Sequence, residues 1–111
     1  MKLLTKAIEQ KLLKSPLGSH DGDKRPGVIV KFFNPTGAGT WYVTEGEQIE
    51  GDNGPDWEFF GLADIHEPEL GYFRLSELQS FRGRFGLGIE RDLHFANKFL
   101  DTSKFPPEVV S

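Results

Sequence analysis

The segment VIVKFFNPTGAGTWYVT, residues 28–44, contains the pattern that decides the fold. VIVKFF (28–33) is almost continuously apolar, and TWYVT (40–44) is rich in β-branched and aromatic residues, so both are typical of strands. The Asn, Pro and Gly residues at positions 34–39 favour a turn. We therefore predict a hairpin here, with its first strand near the centre of a sheet.

Further strands of the same sheet are predicted downstream. WEFFGLA (57–63) reads as a third strand, residues 70–75 indicate a fourth, and IERDLHF (89–95) indicates a short strand or extended edge. GEQIEGDNGP (46–55) is acidic and rich in glycine, which predicts an acidic loop. The sheet is thus expected to occupy residues 27–75.

Helical periodicity is clearest at the start of the chain. Leu4, Ile8 and Leu12 recur every fourth residue, which predicts an amphipathic helix over residues 1–14 with Thr5 as its N-cap. Such a helix could lie on a membrane surface or on the sheet, and the sheet is favoured because it has a face to bury.

A second, shorter helix is indicated after the sheet. The order Ser76-Glu77-Leu78-Gln79 fits a capping box, in which Ser76 accepts from the Gln79 amide and Gln79 reaches back. We expect a short helix and an extended segment over residues 76–96, and a frayed tail over residues 104–111.

Grouped strands without βαβ alternation predict an α+β fold: a small antiparallel sheet of three to five strands, an N-terminal helix and a short helix in the C-terminal half. The length of 111 residues fits a single domain, 1–111, and ten Phe supply large core side chains. The chain has no Cys, which excludes disulfides and thiolate metal sites. Without a signal peptide or a long apolar run, we expect a cytoplasmic protein and no membrane span.

Charge is segregated along the chain, whose formal net charge is −4. The segment from Glu45 to Glu69 contains no Lys or Arg, and its carboxylates are Glu45, Glu47, Glu50, Asp52, Asp56, Glu58, Asp64, Glu67 and Glu69. Like charges on one surface attract basic partners and repel nucleic acid. We therefore predict a protein-binding acidic surface made by Glu45, Glu47, Glu50, Asp52, Asp56, Trp57 and Glu58, in which Trp57 is an aromatic anchor. The alternative is a face that only aids solubility.

A small metal-dependent hydrolase is a second hypothesis, because His66, Glu67 and His94 are possible ligands or acid/base groups. The His spacing lacks the pairing usual in zinc sites, so a solvated acidic turn is favoured. No catalytic residue, metal site or cofactor is assigned.

Two arginine-containing segments suggest other roles. Arg82 and Arg84, with an exposed aromatic residue, could contact single-stranded nucleic acid, although the acidic composition disfavours such binding. Glu90, Arg91 and Asp92 are interpreted as a structural salt-bridge node that braces the C-terminal half against the core.

Several motifs in one order resemble a known family, the bacterial domain of unknown function 2958. They are MKLLT (1–5), KFFNP (31–35), WYVTEGE (41–47), WEFFGL (57–62), ELGYFRLSEL (69–78) and GLGIERDLHF (86–95). The resemblance covers residues 1–96 and implies no catalytic residues. It implies a context: small proteins of plasmids, phages and integrative elements, which often block host defence nucleases or assist element maintenance. We thus expect a non-catalytic accessory protein that binds a basic site on a host or element-encoded protein.

Overall fold

The computed structural model describes residues 1–111 and contains two helices, seven strands and one 3₁₀ turn. In chain order the elements are α1 (Lys6–Leu13), β1 (Val30–Phe33), β2 (Thr40–Gly51), β3 (Gly54–Asp64), β4 (Pro68–Arg74), α2 (Leu75–Ser80), the 3₁₀ turn (Arg84–Gly86), β5 (Glu90–Arg91), β6 (Phe99–Asp101) and β7 (Glu108–Val110). Five strands form an antiparallel sheet in the order β4-β3-β2-β1-β5, and β6 pairs with β7. The predicted α+β fold is confirmed.

The longest feature is the β2–β3 hairpin, which is paired from Thr40↔Asp64 to Gly51↔Gly54. The predicted acidic loop at 46–55 is therefore wrong, because both strands continue through it and only Asp52 and Asn53 form the turn. Gly54 has a φ of +118°, which a residue with a side chain rarely adopts. Acidic residues and glycine suggested a loop, but pairing with β3 satisfies the backbone and overrides that preference.

A β-bulge lies near the middle of β2, where the register shifts between Val43 and Glu45. The extra residue, Thr44, is buried, and its hydroxyl donates to the carbonyl of Phe60 at 3.2 Å. Gly61 faces Val43 at this point, and a Cβ on Gly61 would overlap the carbonyl oxygen of Tyr42. The bulge therefore requires glycine at position 61.

The main core lies between one face of the sheet and the helices, with Phe59 at its centre. The Phe59 ring lies 5.8 Å from that of Phe73, 6.2 Å from Phe32 and 6.3 Å from Trp57, measured between centroids. A Cβ at Gly46 would contact both Phe59 and Leu12 closely, so glycine there lets α1 approach the sheet.

The first helix is shorter than predicted. Thr5 is its N-cap as expected, because its hydroxyl accepts from the amide of Ile8 at 3.2 Å. Helix over residues 1–4 is wrong: Leu3 and Leu4 are buried, but they lie in a non-helical segment that precedes α1. Because the Thr5 hydroxyl caps the Ile8 amide, the helix begins at Lys6, although the apolar periodicity begins earlier, at Leu4.

The predicted capping box at Ser76 and Gln79 is wrong, because α2 begins at Leu75 with Arg74 as its N-cap. Glu77 is therefore the third helical residue, and its carboxylate accepts from the Arg74 amide at 3.2 Å. The Ser76 hydroxyl instead donates to Asp56 in β3. This contact ties the helix to the hairpin.

The other face of the sheet carries a smaller core of Val28, Leu62 and Leu100, against which Val109 packs. The tail expected to fray at 104–111 is therefore wrong, since β7 pairs with β6 and Val109 covers this face. Apolar Val109 and Val110 follow two prolines, and the prolines suggested disorder more strongly than the valines suggested a strand.

The predicted salt-bridge node at residues 90–92 is wrong in its chemistry. Arg91 donates to the carbonyl oxygens of Lys2 and Leu3 instead of pairing with a carboxylate, while Asp92 pairs with Lys31 at 3.3 Å. Arg91 thus fastens the N-terminal segment along β5, and Asp92 fastens the end of β5 to β1.

Neither helix is long and apolar enough to cross a membrane.

The bulge gives a direct test of the fold. Replacing Gly61 by Ala would push a methyl group into the Tyr42 carbonyl, so we expect a loss of ~1–3 kcal/mol in the free energy of unfolding. Gly27→Ala is the matched control, because a Cβ there meets nothing within 4 Å. Denaturant unfolding measures both, and equal stability of the two variants would contradict the assigned register.

Candidate functional site

Glu45, one of the predicted binding residues, is only 4% exposed and serves the fold. Its carboxylate accepts from the amides of Gly18, at 2.7 Å, and His20, at 3.1 Å. β1 stops pairing with β2 at Val43, and the carbonyl of Ser15 then accepts from the Gly46 amide on the vacant edge. Glu45 thus caps the loop that replaces β1, and its assignment to an exposed surface is wrong.

Asp56 is also internal, with 9% of its surface exposed. It accepts from the Trp57 amide at 2.8 Å, from the Ser76 amide at 3.1 Å and from the Ser76 hydroxyl at 2.5 Å. Burial raises the pKa of Asp56, but the Ser76 hydroxyl, the two amides and the nearby Arg74 guanidinium outweigh it and hold the pKa below its ordinary value. Asp56 therefore joins the hairpin to α2 as a carboxylate.

Trp57 and Glu58 are likewise committed to contacts within the molecule. Trp57 is 5% exposed and stacks on Phe59 in the main core, so it is not the protruding anchor that was predicted. Glu58 forms an ion pair with its cross-strand neighbour Arg74, at 3.0 Å between Oε2 and Nε. The positive charge that balances Glu58 comes from outside the acidic segment.

Three of the predicted binding residues remain exposed: Glu47, Glu50 and Asp52. They lie at the turn end of the β2–β3 hairpin, and none forms an ion pair within the chain. We call these three residues the tip carboxylates. Their negative charge is not balanced by a contacting Lys or Arg, which leaves it available to a partner.

A groove of about 640 Å³ lies beside Glu50, one of the tip carboxylates, between the hairpin, the N-terminal segment, α1 and α2. Leu4, Trp57 and Leu75 contribute apolar surface to it, while Glu9 and Glu50 contribute carboxylates and Lys2 an amine. Sequence reasoning missed Leu4, Glu9 and Leu75, because nothing in their local patterns shows that α1 and α2 meet the hairpin tip.

The remaining acids of the segment lie elsewhere. Asp64, Glu67 and Glu69 surround the turn between β3 and β4, at the other end of β3. The 11 residues of β3 span roughly 33 Å as a strand. The carboxylates from Glu45 to Glu69 thus divide into an internal group and two exposed groups at opposite ends of the hairpin.

The residues of the metal hypothesis are not brought together. His66 and Glu67 line a shallow cavity of about 470 Å³ with Glu69, and His94 does not line it. His94 follows β5, which is three strand spacings from β3, or roughly 14 Å across the sheet. No group of three or more His, Cys, Asp or Glu side chains that could hold a metal ion is present.

The arginine segment after α2 exposes an aromatic ring that the sequence analysis did not specify. Phe85 is 91% exposed and has a φ of +59° inside the 3₁₀ turn, next to Arg84. Arg82 turns back to donate to the carbonyls of Gln79 and Phe81, each at 2.7 Å, and so closes the end of α2. Glycines on either side of Arg84-Phe85 were the available signal of such a turn.

The lowered pKa of Asp56 predicts a pH-dependent contribution to stability. Because the folded-state pKa lies below the unfolded value, the carboxylate stabilises the fold above the unfolded pKa and this stabilisation is lost as the pH falls through the folded pKa. Replacing Asp56 by Asn should cost ~1.5–3 kcal/mol at neutral pH and less in acid. Thermal unfolding at several pH values measures this difference.

Asp52→Asn is the control for that measurement, because Asp52 is exposed at the hairpin turn and makes no side-chain hydrogen bond that the substitution would remove. It should leave the midpoint nearly unchanged. A deficit of Asp56→Asn that stays constant from neutral pH to below pH ~3 would show that the ionised form is not what Ser76 and Trp57 stabilise.

Comparison with known proteins places the chain in one family. The sequence model described as protein of unknown function (DUF2958) matches residues 3–104, which is nearly the whole chain. Among curated proteins and solved structures, none matches. The matched range includes every strand of the five-stranded sheet, both helices and β6. The chain therefore belongs to the DUF2958 family, as its motifs indicated.

Proposed function

We propose that this is a non-catalytic accessory protein of a mobile genetic element that acts in the cytoplasm by binding a basic site on a host or element-encoded protein. The observation that carries the proposal is the exposure of the tip carboxylates, Glu47, Glu50 and Asp52, without an intramolecular cation. Their charges repel one another, and a basic partner relieves that repulsion.

The groove beside Glu50 supports a basic protein as the partner. A Lys or Arg side chain can lay its aliphatic stem along the half-buried Leu75 and bring its charged group to Glu50 or Glu9. Lys2 also lines the groove, so a partner cation is favoured at the Glu50 side and disfavoured near Lys2. The buried Trp57 then forms part of the groove wall.

A host defence nuclease is the class of partner that we favour. Restriction and CRISPR nucleases contain a DNA-binding groove lined with Lys and Arg, which is a concentrated basic surface. A hairpin end that carries three exposed carboxylates can occupy such a groove in place of phosphates. The occurrence on mobile elements that the family resemblance implies supports this choice by association of context.

The test is charge reversal at the tip. Replacing Glu47, Glu50 and Asp52 by Lys should abolish capture of the partner from bacterial lysate while leaving the thermal midpoint nearly unchanged, because all three side chains are exposed. Affinity capture with mass spectrometry identifies the partner, and excess duplex DNA should displace it if the protein occupies a DNA-binding groove. Asp56 is left intact, since reversing it would remove the contact with Ser76.

The matched control reverses the other exposed group, Asp64, Glu67 and Glu69, and so makes the same change in net charge. This variant should capture the partner as the original protein does. If both variants retain capture, the acidic surface has no part in binding. If both lose it, only the net charge matters and the tip is not a specific site.

A second candidate function, contact with single-stranded nucleic acid, is favoured by one observation. The Phe85 ring is almost completely exposed beside Arg84, which is the arrangement of a residue that stacks on a base next to a phosphate. The net charge of −4 opposes it, because nucleic acid would approach against the field of the whole molecule.

This candidate predicts that Phe85→Ala weakens binding of a labelled oligonucleotide by about 1–3 kcal/mol, the usual contribution of one stacked base. Fluorescence anisotropy at low salt measures it. Leu93→Ala is the control, because Leu93 is exposed elsewhere and should not matter. Absence of binding by the original protein at low salt would exclude the candidate.

A further inference from the structure

The two edges of the five-stranded sheet differ in how they are protected. The β5 edge is two residues long, and Arg91 binds the N-terminal segment across it. β4, at the opposite edge, is seven residues long and pairs only with β3. An uncovered edge of this length presents free backbone donors and acceptors, which natural sheets usually blunt with charge or bulges.

The orientation of the Arg74 amide shows which backbone groups of β4 point away from β3. This amide donates to the Glu77 side chain and so points away from β3. Backbone groups alternate along a strand, so the amides and carbonyls of Tyr72 and Leu70 also point outward, while those of Gly71 point toward β3. The edge therefore offers two donors and two acceptors around a central glycine.

The side chains at this edge are apolar. Tyr72 is 65% exposed and Leu70 is 41% exposed, and alternation places both on the same face of the sheet. The Tyr72 ring lies 5.0 Å from that of Phe60 on β3, measured between centroids, in an edge-on arrangement. No charged side chain lies between Glu69 and Arg74, so the middle of the edge lacks the protection that a Lys would give.

We propose that β4 binds β4 of a second copy of this chain, antiparallel, about a two-fold axis at Gly71. In this register Leu70 lies opposite the partner's Tyr72, and each of these pairs exchanges two backbone hydrogen bonds through the groups that point outward. The two Gly71 residues form the pair on the axis, where strands approach most closely and a missing Cβ removes crowding. A continuous ten-stranded sheet results.

The strand is complementary to itself, which is why a second copy fits better than another peptide. Antiparallel pairing about Gly71 sets the outward donor and acceptor of Leu70 against those of the partner's Tyr72 on both sides of the axis, so one sequence supplies both partners of every bond. It also brings Leu70 and Tyr72 of both copies into one apolar cluster bounded by Phe60 on each side.

Sedimentation velocity over a range of concentrations tests the proposal on the full chain. The original protein should shift reversibly from a species of 12.5 kDa to one of about twice that mass as its concentration rises. The variant L70K/Y72K, and separately L70E/Y72E, should remain at the monomer mass, because each puts like charges opposite one another. An equimolar mixture of the two variants should restore the dimer, because Lys then faces Glu at every pair.

Leu93→Lys is the control for added charge, since Leu93 is exposed away from β4, and it should dimerise like the original protein. Thermal unfolding of each variant verifies that it is folded. A monomeric original protein at every concentration overturns the proposal, and so does a dimer that persists in both double variants. Folded double variants that stay monomeric when mixed overturn the Gly71-centred register.

Discussion

Eleven residue pairs join β2 to β3, and the position of nearly every other element follows from that hairpin. Phe59 and Trp57 point from it into the main core, while Leu62 points from the other face into the smaller one. The bulge at Thr44 changes the register between the two halves of β2. Beyond it, β1 no longer pairs with β2, and the segment from Ser15 to His20 takes its place.

An acid-rich strand pair that contains no Lys or Arg of its own has to accommodate most of its carboxylates in other ways. Glu45 and Asp56 do so by accepting hydrogen bonds from backbone amides: Glu45 from the loop after α1, and Asp56 from its own strand and from α2. Charge-assisted bonds of this kind are stronger than those between neutral groups. The carboxylate of Glu45 therefore holds the loop after α1 against β2, and that of Asp56 holds the start of α2 against β3.

The sequence predicted the fold where local pattern and tertiary packing agree. The strands predicted at 28–33 and 40–44 and the Thr5 cap depend on residues within one element, and they were correct in place, although β1 begins only at Val30 and β2 continues to Gly51. The segment 46–55 was misread because its strand character comes from pairing with β3. The roles of Asp56 and Ser76 could not be predicted either, because they are 20 residues apart and meet only after folding. The same holds for Arg91 and the N-terminal segment.

The two proposed surfaces are compatible because of the direction of the strands. β4 is antiparallel to β3, so its Arg74 end lies beside Glu58, toward the hairpin turn. In an antiparallel dimer about Gly71, the two turns would then point to opposite ends of the ten-stranded sheet. The tip carboxylates of the two copies would be kept apart, which lowers their mutual repulsion, and each tip would remain free. A partner with two basic sites could bind both ends at once and gain affinity without any new contact.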